Sequence, residues 1–179
     1  MSYRIRPGTP ADAEALTALR FACQAETYGP LYGTAFVASI QSGTGAAEED
    51  RAHLEAPSAN VQVAQDDDGV LVGFAIAADG PLGWECAVAS DVIATRQLVS
   101  LYTRASTHGT GLGAQLMEAV LKDHDPAEPV YLWIMAGNQR ADAFYRKHGF
   151  TQVDTPPLPA EGAWSGQFTY RMIRPGGIA

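Results

Sequence analysis

The chain has 179 residues, 46% of them hydrophobic and 18% charged, which is the make-up of one globular domain with room for its own core. Twenty acidic against twelve basic residues give a net charge of −8, and no cluster of Lys or Arg offers the basic surface that a nucleic acid needs. Cys23 and Cys86 lie too far apart for a metal or redox motif, and no apolar run reaches membrane length. The chain therefore reads as cytoplasmic, with no nucleic-acid partner, no membrane and no metal.

The first element expected is a strand at Tyr3-Arg4-Ile5-Arg6, stopped by Pro7-Gly8. Thr9-Pro10-Ala11-Asp12 has the form of a capping box with Pro at the first helical position, and the helix continues through Leu16, Leu19 and Cys23. Tyr28-Gly29-Pro30 is expected to end it. From Leu31 to Ala56 two helical pieces surround Ser42-Gly43-Thr44-Gly45, with Phe36, Val37 and Ile40 facing a core. The acidic run Glu48-Glu49-Asp50 reads as a solvated helix start. Val61–Ala64 and Val70–Ala78 are strands joined at Asp66-Asp67-Asp68-Gly69. That run has turn chemistry and lacks the alternating oxygen ligands and distal Glu of a calcium loop. A connecting excursion from Asp79 to Asp91 leads to a strand over Ile93–Thr103. After a helix from Gly111, the apolar run Val130–Met135 is a strand covered on both faces. Asn138 caps a helix over Gln139–His148, Gly149 stops it in the left-handed conformation, and Phe150 packs back over the end. Phe150–Val153 and Phe168–Ile173 are the last strands, separated by a proline-bearing loop from Asp154 to Gly166, and Arg174–Ala179 is a frayed tail.

The chemistry concentrates between Leu98 and Leu121. A strand runs into Arg104-Ala105-Ser106-Thr107-His108-Gly109-Thr110-Gly111-Leu112-Gly113, followed by an amphipathic helix with Leu112, Leu116 and Val120 four apart. Three glycines in five residues let the backbone approach a ligand closely. The N–H groups of the first helical turn add the positive end of the helix dipole, a construction that holds phosphate. No Gly-Lys-Ser/Thr follows, so this is not a Walker loop. A dinucleotide fingerprint forced onto Gly109, Gly111 and Ala114 lacks the carboxylate required about twenty residues on, where Trp133-Ile134-Met135 stand.

His108-Gly109-Thr110-Gly111-Leu112-Gly113 resembles the Q/R-x-x-G-x-G/A motif of the GCN5-related N-acetyltransferases, and it follows a strand ending Leu101-Tyr102-Thr103. The run from Leu132-Trp133 through Asn138, Ala141, Phe144-Tyr145, Lys147 and Gly149-Phe150 resembles that family's second motif. The resemblance implies an α/β fold, with a mixed, mostly antiparallel twisted sheet flanked by helices and splayed central strands. Residues 1–174 would form a single acyl-CoA N-acyltransferase domain, with 175–179 a flexible tail. Acetyl-CoA would be the co-substrate. Its pyrophosphate would lie on the backbone of His108, Gly109, Thr110, Gly111, Leu112, Gly113 and Ala114. Its pantetheine arm would run along Leu101, Tyr102 and Thr103 and meet Asn138 and Tyr145, with Tyr145 donating a proton to the departing thiolate. The implied activity is acetyl transfer to a primary amine by direct attack in a ternary complex. A small-molecule amine is the expected partner, and a homodimer is allowed for. The alternative is a non-catalytic acyl-CoA-binding or regulatory module.

Two positions depart from the family pattern. His108 stands where Gln or Arg is usual, which keeps the backbone donor. No carboxylate occupies Arg96-Gln97 or Trp133-Ile134, where the family often keeps its general base. Glu26, Glu85 and Asp91, from loops bordering the acceptor site, are the candidates, beside a water relay or capture of a neutral amine.

Overall fold

The computed structural model describes residues 3–43, 45–89, 91–156, 158 and 164–177. Among the described residues seven strands form one mixed sheet: β1 (Arg4–Pro7), β2 (Asn60–Gln65), β3 (Leu71–Asp79), β4 (Arg96–Thr103), β5 (Val130–Met135), β6 (Thr151–Asp154) and β7 (Thr169–Arg174). Their order is β1-β2-β3-β4-β5-β7-β6. The α-helices among the described residues are α1 (Ala13–Tyr32), α2 (Thr34–Gln41), α3 (Ala46–Glu55), α4 (Leu112–Val120) and α5 (Gln139–Lys147). β1/β2, β2/β3, β5/β7 and β6/β7 are antiparallel, while β4/β5 is parallel and is paired only at Arg96↔Val130 and Gln97↔Tyr131. The chain divides into two compact units, 1–78 with 99–123 and 79–98 with 124–179.

In the first unit the β2–β3 hairpin turns at Asp66, whose Oδ1 accepts from the N–H groups of Asp68 and Val70 at 3.1 and 2.9 Å. β3 is buried from Leu71 to Ala78, as a run without polar alternation requires. Leu16, Leu19 and Cys23 of α1 pack on Val61, Val63, Phe74 and Ile76, and each large side chain taken from water contributes about 1.5–3 kcal/mol. A 3₁₀ turn at Pro10–Asp12 precedes α1, where the Asp12 carboxylate accepts from the Thr9 N–H and hydroxyl at 2.8 and 2.9 Å.

Two expectations are corrected in this unit. Gly29-Pro30 does not end α1, which runs to Tyr32 with Pro30 inside its last turn. Pro30 removes one N–H, but the turn closes beyond it, because Gly33 donates to the Gly29 carbonyl at 3.0 Å. The rings of Tyr28 and Tyr32, four apart, sit 6.0 Å from each other, and Tyr32 meets Phe36 of α2 at 5.0 Å. That packing favours the extra turn over the early stop. The run Glu48-Glu49-Asp50 is solvated only in part. Glu48 and Glu49 are exposed in the first turn of α3, but Asp50 is 2% exposed, accepting from the Thr17 hydroxyl at 2.8 Å and from the Arg20 guanidinium.

In the second unit β7 lies between β5 and β6, its Arg171 opposite Trp133 of β5. The strand expected from Ile93 begins only at Arg96. The Thr95 carbonyl accepts from the Gly80 N–H at 2.8 Å, and residues 91–94 bend away from the ladder to line a cavity. α5 ends as the sequence indicates. Gly149 has φ +85° and its N–H bonds the Arg146 carbonyl, while the Phe150 N–H bonds the Tyr145 carbonyl and the Phe150 ring is buried. In the expected loop, Pro157 and residues 159–163 lie outside the described residues, as does Thr44 of the earlier one and residues 178–179 of the tail. The Gly177 N–H donates to the Pro126 carbonyl at 2.8 Å.

Candidate functional site

The glycine-rich loop belongs to the first unit and is built from both ends. At its start, the Arg104 N–H donates to the Val72 carbonyl at 2.9 Å, tying the end of β4 to β3. A 3₁₀ turn covers Ala105–Thr107, and the hydroxyls of Thr107 and Thr110 close onto the carbonyls of Arg104 and Thr107 at 2.8 and 2.7 Å. Gly109 and Gly111 have φ +79° and +87°, which L side chains resist, and Gly111 is the residue before α4. At the far end Leu112 and Leu116 are buried, and α4 comes so close to β3 that a Cβ on Gly73 would lie 2.9 Å from Leu116 Cδ1.

Within this loop the donors divide. The N–H groups of His108, Thr110 and Ala114 bond the carbonyls of Ala105, Thr107 and Gly111, and that of Leu112 faces the Thr110 hydroxyl at 3.4 Å. Among the described residues, the N–H groups of Gly109, Gly111 and Gly113 make no backbone hydrogen bond. Alternate donors at the N-terminus of a helix suit the oxygens of a phosphate, and around Gly109 the space is open. The residues thus fit a pyrophosphate-bearing ligand. His108 is exposed. Of the strand residues expected beside the ligand, Tyr102 stacks 5.6 Å from Phe74, its hydroxyl 3.3 Å from that of Tyr28. Leu101, Tyr102 and Thr103 are all half-buried.

The other expected site residues stand in the second unit, on α5. Asn138 caps the helix, its side-chain oxygen accepting from the Ala141 N–H at 3.2 Å. Tyr145 is half-buried, and its ring meets Phe144 at 5.2 Å and Phe150 at 5.6 Å in edge-on contacts that fix its direction. Asp142, one turn earlier, accepts from Arg146 at 2.8 Å and from the Tyr170 hydroxyl at 2.9 Å, bracing α5 against β7. The Arg146 guanidinium first, and the Tyr170 hydroxyl with it, lower the Asp142 carboxyl below its ordinary range.

The three carboxylates considered as bases have different surroundings. Glu26 is on α1, not in a loop, and both its oxygens are engaged: Oε1 accepts from Arg104 Nε at 2.8 Å and Oε2 from the Ala105 N–H at 2.7 Å. It holds the first residues of the glycine-rich loop, a role that nothing in the sequence spacing signals. Glu85, in a 3₁₀ turn over Glu85–Ala87, is 1% exposed. Its Oε2 accepts from the Tyr131 hydroxyl at 2.9 Å and Trp133 Nε1 at 2.7 Å, and its Oε1 from the Leu82 N–H at 3.2 Å. Burial, and then the adjacent Glu85 charge, push the Tyr131 hydroxyl well above the ordinary tyrosine range, so Tyr131 stays a neutral donor. Asp91 is exposed, and its carbonyl accepts from Arg171 at 2.9 Å.

The model of the acetyltransferase (GNAT) domain matches residues 57–152, more than half of the chain and both motifs. Among solved structures, PaiA N-acetyltransferase from Thermoplasma acidophilum, in complex with coenzyme A, is similar at 19% identity and TM-score 0.70, over 98% of this chain and 99% of that one. A histone acetyltransferase HPA2-related acetyltransferase from Corynebacterium glutamicum is 22% identical at TM-score 0.63, over 100% and 99%. Arabidopsis thaliana NAA60, in complex with a bisubstrate analogue, is 16% identical at TM-score 0.64, over 97% and 98%. At these identities they attest the fold. No curated protein matches the chain by sequence. No helix among the described residues is long and apolar enough to cross a membrane. With the domain match spanning the loop before α4 and the capped α5, the chain belongs to the GNAT acetyltransferases, whose co-substrate is acetyl-CoA.

Proposed function

We propose that the chain transfers acetyl from acetyl-CoA to the primary amine of a small molecule, by direct attack in a ternary complex, with residues 1–174 acting as one catalytic domain. The observation that carries this reading is the glycine-rich loop, which presents alternate N–H donors beside the N-terminus of α4. The co-substrate supplies an acetyl group already activated as a thioester. The N–H groups of Gly109, Gly111 and Gly113 bind its pyrophosphate, with His108, Thr110, Leu112 and Ala114 shaping the turn. Leu101, Tyr102, Thr103 and Asn138 hold the pantetheine arm.

The amine, having lost its ammonium proton to water, forms the new C–N bond as the C–S bond breaks and the electron pair leaves on sulfur. Tyr145 gives its phenolic proton to that sulfur. The surplus proton on nitrogen passes to water, from which Tyr145 is restored. General acid catalysis of this kind is worth about 10²–10⁴ in rate. The acidic net charge supports a cationic acceptor by attraction in solution.

The first test is the melting temperature with acetyl-CoA, and with NADH and ATP as controls. A ligand that binds only the folded chain stabilises it by about 2.7 kcal/mol at a hundredfold excess over its dissociation constant. A rise with acetyl-CoA alone is expected, and its absence at saturation overturns the reading. Tyr145→Phe is then expected to lower kcat about a hundredfold with acetyl-CoA affinity nearly intact. A variant that keeps full kcat removes Tyr145 from the mechanism.

A further inference from the structure

The second unit contains a cavity of about 120 Å³, lined among others by Val92, Ile93 and Ala94 and by Glu85, Asp91, Tyr131 and Arg171. Tyr131, one of the lining residues, pairs with Gln97 in the β4/β5 ladder. For comparison, an apolar cavity of about 150 Å³ accommodates benzene, so about five non-hydrogen atoms fit here.

The charges around the cavity do not balance. Arg171 is engaged by Asp154 through Nε at 2.8 Å and through Nη2, and its Nη1 donates to the Asp91 carbonyl. Among the described residues Glu85 has no cation within ion-pair distance, although it is 1% exposed. Its three hydrogen bonds all come from neutral donors, and a carboxylate offers about four lone-pair positions. The Arg171 guanidinium lines the same cavity and its charge reaches Glu85, but Arg171 is shared with Asp154, and a second acid, Asp91, lines the cavity as well, so the acids there outnumber the cation. A compact donor with positive charge and a short apolar body matches this lining.

We propose that this cavity is the acceptor site and that Glu85 anchors the ammonium group of a short-chain primary alkylamine within it. Its assignment as the acceptor site rests on the acetyl-transfer reading, whereas the binding of an alkylammonium does not. The cavity walls Val92, Ile93 and Ala94 take the hydrocarbon chain, Glu85 Oε1 takes one N–H of the cation, and Asp91 adds charge at the rim.

The test is calorimetric titration of the full chain with n-butylamine, without any acyl donor, beside n-butanol as the neutral molecule of the same size. Butylamine binding at least tenfold tighter than butanol, and weakened at least tenfold by Glu85→Gln, is the expected result. Gln retains the size of the side chain and one acceptor oxygen, so the melting temperature reports whether the fold survives. Asp91→Asn, at the exposed rim, gives an independent check and is expected to weaken binding about threefold. Equal binding of butanol, butylamine affinity unchanged in both variants, or no butylamine binding overturns the proposal. Glu85-dependent binding of butylamine with no thiol release, in a chain whose melting temperature acetyl-CoA does raise, leaves the ammonium site standing and overturns its assignment as the acceptor site, whereas no stabilisation by acetyl-CoA overturns the acetyl-transfer reading instead.

Discussion

Asp50 in the first unit and Glu85 in the second are both carboxylates with at most 2% of their surface exposed, yet the chain treats them in opposite ways. Asp50 receives the Arg20 guanidinium and the Thr17 hydroxyl, and Arg20 itself lies 4.8 Å above the Phe74 ring and donates to the Ser100 hydroxyl at 3.1 Å. That arrangement has charge, counter-charge and packing in one place, and it ties α3, α1 and β4 together within the first unit. Among the described residues Glu85 has three neutral donors and no cation within ion-pair distance, Arg171 acting on it only from farther away, and a cavity lies beside it. A buried charge closely paired with its counter-charge acts as a brace, whereas one without a close ion pair beside open space can take up a ligand's charge.

The largest expected effect comes from removing the compensation at Asp50. Arg20→Met keeps much of the apolar stem and leaves the carboxylate buried alone, which costs about 3–5 kcal/mol. Urea unfolding should show a lower midpoint with the slope m unchanged. A loss below about 1 kcal/mol would mean that water reaches Asp50, and the contrast with Glu85 would fail.

At Glu85 the corresponding loss of charge should be mild, because Glu85→Gln retains an acceptor for Tyr131 and Trp133. A change in stability within about 1 kcal/mol is expected. The packing behind it is less forgiving. A Cβ on Gly80 would lie 2.1 Å from the Tyr131 hydroxyl oxygen, so Gly80→Ala must push that ring off Glu85. Overpacking of this kind costs about 1–3 kcal/mol, and thermal unfolding of the two variants side by side ranks them. If Glu85→Gln proves the more damaging, the carboxylate is a brace after all.

Why Asp50 and Glu85 escape a reading of the sequence is a matter of range. The loop before α4, the Asn138 cap and the Gly149 stop depend on residues within a few positions of each other, so spacing alone reveals them. The hairpin at Asp66–Gly69 is local in the same way. Asp50 looks like any acid in a first helical turn, because Thr17 and Arg20 are 33 and 30 residues away. Glu85 is 46 residues from Tyr131 and 48 from Trp133. The false stop at Pro30 has the same origin, since rings of α1 and α2 outweigh the local preference.

Glu26 sharpens the comparison from the side of function. It is 28% exposed at its side chain and holds Arg104 and the Ala105 N–H, so its role is to position the glycine-rich loop rather than to carry a buried charge. Glu26→Gln keeps one acceptor oxygen and loses the other. About 1 kcal/mol of loop order should be lost, seen as an acetyl-CoA dissociation constant about fivefold higher with the melting temperature of the free chain nearly unchanged. A fall in melting temperature with unchanged affinity would make Glu26 a brace like Asp50.

The smallest effect is expected at Asp12, a carboxylate nearer the surface that is compensated by Arg6 at 2.7 Å and by the Thr9 N–H and hydroxyl. The Arg6 guanidinium foremost, with those Thr9 donors, holds its carboxyl well below the ordinary value of 3.8. A folded-state value below the unfolded one means that the stabilisation is fully present above pH 3.8 and is lost as pH falls from there through the lower folded value. Asp12→Asn should therefore be about 1 kcal/mol less stable than the parent at pH 7, with the gap closing on acidification below pH 4. Parallel urea titrations at pH 7 and pH 3 measure it. A gap that stays constant with pH would locate the effect in the shape of the cap rather than in its charge, and compensation at the surface would then count for less than it does at Asp50.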